Sequence, residues 1–427
     1  MTDPMLSLLI MSGVRGDPRR YRTFHLYEQA CLAGLNCQLS HVTDDKLQNK
    51  AQSADIVILH RAYFTDQIAW LEKEAHRKGG LLIQDIDDLV FEPDVFQYIN
   101  SPDFADPNRS SLYQEEMRMY RKTMELCDAV TTSTGFLAER IRQLGNPVWV
   151  HRNAFSLEML DRSEKAHKSK KGMDERVVIG YASGTATHNQ DFAQIKPALI
   201  TILRNFPNVE LWLVGPLDPG KAWGSMGDRV HKFKKVPWRN LPEIQAQFDI
   251  NLAPVRTDNP FGESKSEIKY VESALVRVPT VASPSDAFKV AIRHADNGFL
   301  ATSTKEWEYI LEELICEPGL RRKVGEAAFE DVIQRYHPLV RAKQLVETLS
   351  AMIGQVINLP VKNLDEDIDK FGSTQSYWSS AQAEKSPSLY QMGRYTLRNR
   401  GFNVLLKQIR VYFRRLVAPI VPYRRIS

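Results

Sequence analysis

The sequence predicts an α/β protein with two doubly wound, Rossmann-like domains and a basic helical tail. Short apolar runs alternate with helical periodicity in the first part of the chain. A charged stretch at 162–176 interrupts this pattern, which restarts at Val177. Apolar strands separated by helices are typical of a parallel sheet that is covered on both faces. A length of 427 residues suits two domains, and two such domains joined by a linker imply a ligand-binding cleft.

The first domain is assigned to residues 1–161. Its apolar run from Met5 to Met11 is too short to span a membrane and has no basic leader, so we interpret it as a buried strand. The predicted strands are Leu6–Met11, Asp55–Leu59, Leu81–Gln84 and Ala129–Thr132. The predicted helices are Tyr21–Ala33, Ile68–Lys78 and Leu112–Cys127.

The second domain is assigned to residues 177–350, after a solvated linker at 162–176 that has almost no apolar residues. Its predicted strands are Val177–Tyr181, Val209–Val214, Ile250–Ala253 and Thr280–Ala282. Its predicted helices are Ala193–Asn205, Ser266–Leu275, Trp307–Cys316 and Leu320–Tyr336.

Positive charge is concentrated in the tail, residues 351–427. From Phe371 to Ser427 there are ten basic residues and one acid, a charge of +9; because the chain carries +4 in total, the rest carries −5. A helix predicted at Phe402–Val417 has an apolar face and a basic face. The apolar positions are Phe402, Leu405, Leu406, Ile409, Phe413 and Leu416, and the basic ones are Lys407, Arg410 and Arg414. This pattern favours an anionic membrane surface as a partner for residues 394–417; the alternative is packing on the protein's own body.

The cysteines indicate neither a metal site nor a disulfide framework. The four of them form no CxxC pair, and no histidine cluster lies beside them. We interpret them as reduced thiols of a cytoplasmic protein that associates with the inner face of the membrane through its tail. We expect no nucleic acid partner.

Polar residues follow three predicted strands of the second domain, where ligands bind in doubly wound sheets. The first loop contains Ser183, Gly184, Thr185 and His188, and the second contains Gly215. The third loop contains Lys265 and leads into a predicted helix that carries Ser266, Lys269 and Glu272. Helix-end amides and lysines can hold a diphosphate, and a carboxylate can accept from a ribose diol. The alternatives are ordinary turns, helix caps and surface ion pairs.

The second half resembles the retaining glycosyltransferases of family 4, which have the GT-B fold. The donor-site signature of that family is similar to the helix with Glu272, the small-residue turn after it and the run PTVAS from Pro279. Further similarities, in order along the chain, are found at Val148–Asn153, Val177–Tyr181, Val209–Gly215, Phe248–Pro254 and Leu320–Tyr336. The chain departs from the family in several respects. Ser264, eight positions before Glu272, stands in place of the first of two glutamates. The usual Arg and Lys after the domain-opening strand are missing, and Ser183–Thr185 and His188 stand there instead.

The resemblance implies transfer of a sugar from a nucleotide-sugar donor to a glycan or lipid-linked acceptor, with retention and without a required cofactor. A bacterial subgroup with similar motifs contributes to surface polysaccharides. Two alternatives remain: a nucleotide-sugar 2-epimerase, and a non-catalytic module that binds a glycan or a partner transferase.

The resemblance also gives the first domain a share of the site. It implies that Gly13 and Arg15, which follow the first strand, face the donor phosphates. Arg22 and the acidic turn Asp85, Asp87 and Asp88 are predicted to lie on the acceptor side. The carboxylates of that turn could instead hold Mg²⁺ or cap a helix, but we predict no metal.

Overall fold

The computed structural model describes residues 6–99, 104, 106–170, 175–220, 223–354 and 387–417. These residues divide into two compact units. The first unit holds those within 1–97, 103–156 and 338–420, and the second holds those within 98–102 and 157–337.

The first unit is built on a six-stranded sheet whose strands all run parallel. The strands are β1 (Ser7–Ser12), β2 (Asn36–His41), β3 (Ile56–His60), β4 (Leu81–Ile86), β5 (Ala129–Thr132) and β6 (Val148–Val150). Their order is β2-β1-β3-β4-β5-β6. The helices of this part are α1 (Asp17–Arg19), a π-helical segment (Arg20–Phe24), α2 (His25–Leu32), α3 (Leu47–Ser53), α4 (Asp66–Arg77), α5 (Pro107–Leu126) and α6 (Gly135–Gln143). Strands β1 and β3 are buried along their whole length, because helices cover both faces of the sheet.

The second unit repeats this plan with a second parallel sheet of six strands. The strands are β7 (Val177–Ala182), β8 (Val209–Val214), β9 (Val230–Phe233), β10 (Ile250–Ala253), β11 (Thr280–Ala282) and β12 (Phe299–Leu300). Their order is β12-β11-β10-β7-β8-β9. The helices are α7 (Leu157–Lys168), α8 (Asn189–Asn205), α9 (Leu241–Gln245), α10 (Pro260–Glu263), α11 (Ile268–Ala274), α12 (Asp286–Ala291), α13 (Thr304–Cys316) and α14 (Pro318–Tyr336). The predicted fold class is thus confirmed, and the predicted bounds of β5, β8, β10 and β11 are also those of the structure.

The predicted linker differs from the structure, since Leu157–Lys168 forms helix α7. Much of the charge on this helix is paired along its surface, Glu158 with Arg162 and Asp161 with Lys165. Met159 and Ala166 are buried on its inner face. The charged composition therefore marks one solvated face of a helix; residues 171–174 lie outside the described residues.

The chain returns to the first unit after α14. Helix α15 (Pro338–Ile353) packs against α2, and an Arg341 guanidinium N–H donates to the Arg152 carbonyl at 3.0 Å. The second domain therefore ends near His337, short of the predicted residue 350. Helices α16 (Leu389–Arg400) and α17 (Phe402–Val417) follow, and α17 has the bounds predicted for the amphipathic helix. No helix among the described residues combines the length and apolar character needed to cross a bilayer.

A buried ion pair between Arg22 and Asp85 ties the first unit together. Arg22 donates from Nε to Asp85 Oδ1 at 2.8 Å and from Nη2 to Oδ2 at 2.5 Å. A third bond runs from Nη1 to the His151 carbonyl at 2.6 Å, and Thr131 donates its hydroxyl to Asp85. Both charged side chains are almost fully buried. Burial lowers the pKa of Arg22, but the Asp85 carboxylate outweighs that effect and raises it above the ordinary value. The pair links the π-helical segment with β4, β5 and the residues after β6.

We expect Arg22→Met to destabilise the first unit, because it removes the cation that balances a buried carboxylate. Breaking such a pair costs about 3–5 kcal/mol. Urea unfolding followed by circular dichroism should show an earlier transition. The control is Arg118→Met, which removes an exposed pair with Glu115 on α5 and should leave the unfolding midpoint unchanged. Equal midpoints for the two variants would contradict a structural role for Arg22.

Candidate functional site

The polar loops of the second unit meet where the strand order changes direction. Strand β7 pairs with β8 on one side and with β10 on the other. The connections that leave β7 and β10 therefore run to opposite sides of the sheet and leave a crevice at its carboxyl edge. Two of the three predicted loops, those after β7 and β10, lie at this crevice.

The loops after β7 and β8 cross in direct contact. The Ser183 amide donates to the Val214 carbonyl at 2.8 Å, and the Ser183 hydroxyl donates to the Thr185 carbonyl at 2.9 Å. Gly215 has φ +105°, and a Cβ there would lie 1.9 Å from the Ser183 carbonyl oxygen. Only glycine allows this approach. Gly184 and Thr185 are exposed at the end of the first loop.

His188 forms a hydrogen-bonded pair with Asp191 at the start of α8. Its Nδ1 lies 2.7 Å from Asp191 Oδ2, while Asp191 Oδ1 accepts the Arg256 backbone N–H at 2.9 Å. A carboxylate only accepts, so we assign the ring proton to Nδ1, which leaves the Nε2 lone pair as an acceptor. Burial lowers the pKa of His188; Asp191 opposes this, and the positive charges of Lys269 and Lys265 reinforce it. His188 is therefore neutral near pH 7.

Lys269 joins α11 to the end of β7. Its ammonium Nζ donates to the Ala182 carbonyl at 2.8 Å and lies 5.4 Å from the centre of the Tyr181 ring. Burial lowers the pKa of Lys269, Glu272 and Asp191 act against this, and Lys265 adds to it. An ammonium has three N–H donors, and the Ala182 carbonyl takes one of them. Lys269 therefore brings a cation to the crevice between β7 and β10.

The helix that carries Lys269 begins later than predicted. Helix α11 starts at Ile268 and has seven residues, so Lys265 and Ser266 precede it. Lys265 lies over the Phe261 ring, with Nζ 3.5 Å from the ring centre, and Ser266 is half-buried. Glu267 holds the cap position, is buried and accepts the Tyr336 hydroxyl at 2.9 Å. The two lysines predicted on one helix are therefore divided between a loop, which holds Lys265, and α11, which holds Lys269.

Glu263, Ser264 and Glu272 have different surroundings. Glu272 is half-buried on α11 and acts electrostatically on Lys269. Ser264 is fully buried, and its hydroxyl donates to the Phe261 carbonyl at 2.7 Å. The neighbouring Glu263 accepts the Asp286 backbone N–H at 2.9 Å, at the start of α12. Glu263 thus stabilises the start of α12.

A pocket at the crevice includes residues that the sequence analysis missed. Its lining includes Thr187, His188, Asp191, Arg256, Asn259 and Lys265. Four of these six, Thr187, Asp191, Arg256 and Asn259, were not among the predicted site residues. Asp191 follows His188 by three positions, a spacing that places both on one side of a helix start. Arg256 comes shortly after a predicted strand, so its position alone could have indicated a site residue.

The residues predicted in the first unit separate into two groups. Arg22 and Asp85 are buried against each other, so the acceptor contact predicted for them is corrected to a structural role. Asp87 and Asp88 instead lie beside Arg61 at the ends of β3 and β4. Burial raises the pKa of Asp87, but Arg61 and His60 outweigh this and hold it well below the ordinary value.

The predicted loop after β1 is also only partly open. Gly13 is buried, and a Cβ there would lie 2.2 Å from the Arg61 carbonyl oxygen. Arg15 is exposed. Within the described ranges, no group of three His, Cys, Asp or Glu side chains is placed to hold a metal ion.

Comparisons with known proteins agree with this arrangement. The family model for glycosyl transferases group 1 matches residues 176–316, which include β7, the His188–Asp191 pair and α11. A sequence search of curated proteins finds no match.

Solved structures show the same fold over most of the chain. HepE from Anabaena, in complex with UDP, has a TM-score of 0.56 and 16% identity, over 81% of this chain and 100% of its own. Sucrose-phosphate synthase from Thermosynechococcus elongatus has 0.54 and 13%, over 82% and 99%. A glycosyltransferase from Rickettsia africae has 0.56 and 12%, over 82% and 99%. The chain has the GT-B fold, and the family match supports a glycosyltransferase.

The His188–Asp191 pair gives a direct spectroscopic prediction. In a histidine titration followed by NMR, His188 should titrate below the ordinary value of 6.5. Asp191→Asn should lower that pKa further, because the variant removes the charge that opposes the effect of burial, while the amide oxygen still accepts from Arg256. The exposed Asp228→Asn is the control and should leave the pKa of His188 unchanged. An unchanged pKa in Asp191→Asn would show that the two side chains are not paired.

Proposed function

We propose that this chain is a retaining glycosyltransferase that takes its sugar from a nucleotide-sugar donor bound in the second unit. The observation that carries the proposal is the position of Lys269, which lies at the crevice between β7 and β10 and inside the region that matches the family. The solved HepE structures include complexes with UDP and with UDP-glucose. These complexes support a nucleotide sugar as the donor of this chain.

Each crevice residue is proposed to bind a different part of such a donor. Lys265 and Lys269 would bind the diphosphate, whose negative charge offsets the repulsion between the two cations. The backbone N–H groups of Gly184 and Thr185, at the exposed end of the loop after β7, would donate to it, as oriented amides do at many anion sites. Glu272 would accept from the ribose hydroxyls. The Nε2 atom of neutral His188 would accept a hydrogen bond from a sugar hydroxyl.

In the reaction, the bond between the anomeric carbon and the diphosphate oxygen breaks, and the nucleoside diphosphate leaves with the electron pair. An acceptor hydroxyl oxygen forms a bond to the same face of that carbon, and its proton passes to the diphosphate oxygen that leaves. The lysines stabilise the charge that develops on the leaving group. We propose a glycan or lipid-linked acceptor and a role in bacterial surface polysaccharide synthesis at the inner face of the membrane, where the basic residues 394–417 favour an anionic surface.

A second candidate function is a non-catalytic module that binds a sugar nucleotide or glycan. It is favoured by one observation, the buried serine at position 264 where the family has a glutamate. The same pocket would then bind without transferring.

A panel of sugar nucleotides tests the proposal. The purified chain should bind at least one of UDP, GDP or dTDP in a thermal-shift assay, and it should release nucleoside diphosphate from the matching donor faster when a lipid-linked acceptor is present. Binding without release would favour the non-catalytic module. Release of nucleoside diphosphate from the donor alone, together with a free sugar, would favour an epimerase. A chain that binds no nucleotide has neither function.

The lysine of α11 that contacts the end of β7 gives a sharper prediction. Lys269→Met should weaken binding of the nucleoside diphosphate by about 10- to 100-fold, because a charge-assisted hydrogen bond contributes about 1.5–3 kcal/mol. Isothermal titration calorimetry measures this effect. Lys323→Met, at an exposed lysine on α14, is the matched control and should bind like the native chain.

The pH dependence of nucleotide affinity tests whether binding needs the positive charge of Lys269 or only the size of its side chain. The pKa of Lys269 is lowered, so its positive charge is lost as the pH rises towards 10.5, earlier than for an ordinary lysine. Affinity in the native chain should therefore fall over that alkaline range, whereas in Lys269→Met this part of the fall should be absent. Parallel profiles for the two proteins would show that Lys269 does not hold the diphosphate.

A further inference from the structure

The last two helices form a hairpin that is anchored on the first unit. Helices α16 and α17 pack against each other, and α17 packs against α5. Arg400 pairs with Glu116 of α5 at 3.2 Å and lies over the Tyr63 ring, 4.5 Å from its centre. Arg400 is almost fully buried. Burial raises the pKa of Glu116, and Arg400 acts against this rise. The hairpin is thus a fixed part of the unit.

An apolar groove of about 650 Å³ lies between this hairpin and α5. Its apolar lining includes Leu112, Leu389, Met392, Leu397, Leu405 and Ile409. Leu389 and Leu397 are 58% and 48% exposed, and Tyr390, which also lines the groove, is 72% exposed. A contiguous exposed apolar surface of this kind marks a binding site.

The charge around the groove selects the type of occupant. Residues 389–417 contain seven basic residues and no acidic one. Arg109 and Arg394 lie on the groove itself. A second copy of the chain would bring the same positive charge against it, which is unfavourable. An apolar chain that carries an anionic head group complements both features.

Polar side chains also line the groove, among them Tyr113 and Glu116. Burial raises the pKa of Tyr113, and the negative charge of Asp88 raises it further, which places the tyrosine within electrostatic range of Asp88. The Asp88 carboxylate in turn lies 3.6 Å from the Arg61 guanidinium. Tyr113 is therefore both at the groove and near a residue that was predicted on the acceptor side.

We propose that this groove binds the hydrocarbon chain of an anionic lipid, with the phosphate of the lipid at the arginines of its rim. The inference rests on the proposed function, because it makes the acceptor a lipid-linked phosphate whose chain is bound by the first unit. It also refines the prediction for the amphipathic helix. The apolar face of α17 is shared, since Leu405 lines the groove whereas Phe402 is 61% exposed.

Two tyrosines allow a matched test in the full-length protein. Tyr390 lies at the groove and is 72% exposed, and Tyr309 lies on α13 of the second unit and is 69% exposed. In flotation assays with vesicles of phosphatidylglycerol and phosphatidylcholine, Tyr390→Ser and Leu397→Gln should each bind about tenfold or more weakly than the native chain, because each removes apolar surface that would be buried. Tyr309→Ser should bind like the native chain, and vesicles of phosphatidylcholine alone should bind weakly.

A lipid with a photoactivatable group on its acyl chain locates the contact. Crosslinks should map by mass spectrometry to peptides from residues 107–126 and 387–410. Crosslinks confined to other peptides, or equal vesicle binding by Tyr390→Ser and Tyr309→Ser, would overturn the proposal. A dimer in sedimentation velocity that Tyr390→Ser dissociates would overturn it in favour of a second copy.

Nucleotide binding keeps this test separate from the proposed function. The groove variants should retain the affinity of the native chain for the nucleoside diphosphate. If no nucleotide binds while the crosslinks still map to the groove, the transferase proposal fails and the lipid site stands. If nucleotide binds and the crosslinks lie elsewhere, the groove proposal alone fails.

Discussion

Parallel pairing in both sheets is the constraint on which the rest of the structure depends. Strands that run in the same direction place all their carboxyl ends at one edge, and each connection must cross over the sheet to reach the next strand. In the second unit this brings the ends of β7 and β10 side by side although Ala182 and Ala253 are 71 positions apart in the sequence. The hydrogen bond from Lys269 to the Ala182 carbonyl is possible only because of that topology. The candidate site is therefore a consequence of strand order before it is a consequence of any single side chain.

The electrostatics of the crevice point to an anionic ligand. Two lysines and a histidine lie within range of one another, and burial together with mutual repulsion lowers the pKa values of Lys269 and His188. The unit tolerates this because His188 stays neutral and Asp191 supplies a nearby negative charge. A bound anion would favour the charged form of Lys269 and leave His188 neutral beside Asp191. The repulsion between the lysines is unfavourable in the ligand-free protein, and an anion bound there would offset it, as is common at functional sites.

Most of the fold, but only part of the candidate site, could be predicted from the sequence. Buried strands such as β3 and β8 were predictable because their apolar runs are continuous. The edge strand β2, with the sequence Asn-Cys-Gln-Leu-Ser-His, has no such run, since an edge strand is partly exposed. Helix α7 was missed because the composition of its solvated face dominates. The pairing of Arg22 with Asp85 joins residues 63 positions apart, so no local pattern contains it. His188 could be predicted as a site candidate because it lies in a strand-end loop. Its charge state, however, depends on Asp191 and Lys269, and its contacts with them are visible only in the tertiary structure.

The C-terminal hairpin raises the question of why a folded chain leaves apolar side chains in water. The buried pair of Arg400 with Glu116 is weak support for stability, because the loss of hydration offsets much of the attraction. Such a pair is more effective at fixing position, and here it holds the last residue of α16 against α5. Tyr63 adds an aromatic face beneath the Arg400 guanidinium. Leu389, Tyr390 and Phe402 stay more than half exposed in that placement. A hairpin held in this way, with apolar groups outward and no acidic residue along its length, is complementary to the apolar, anionic lipid that we propose for the groove.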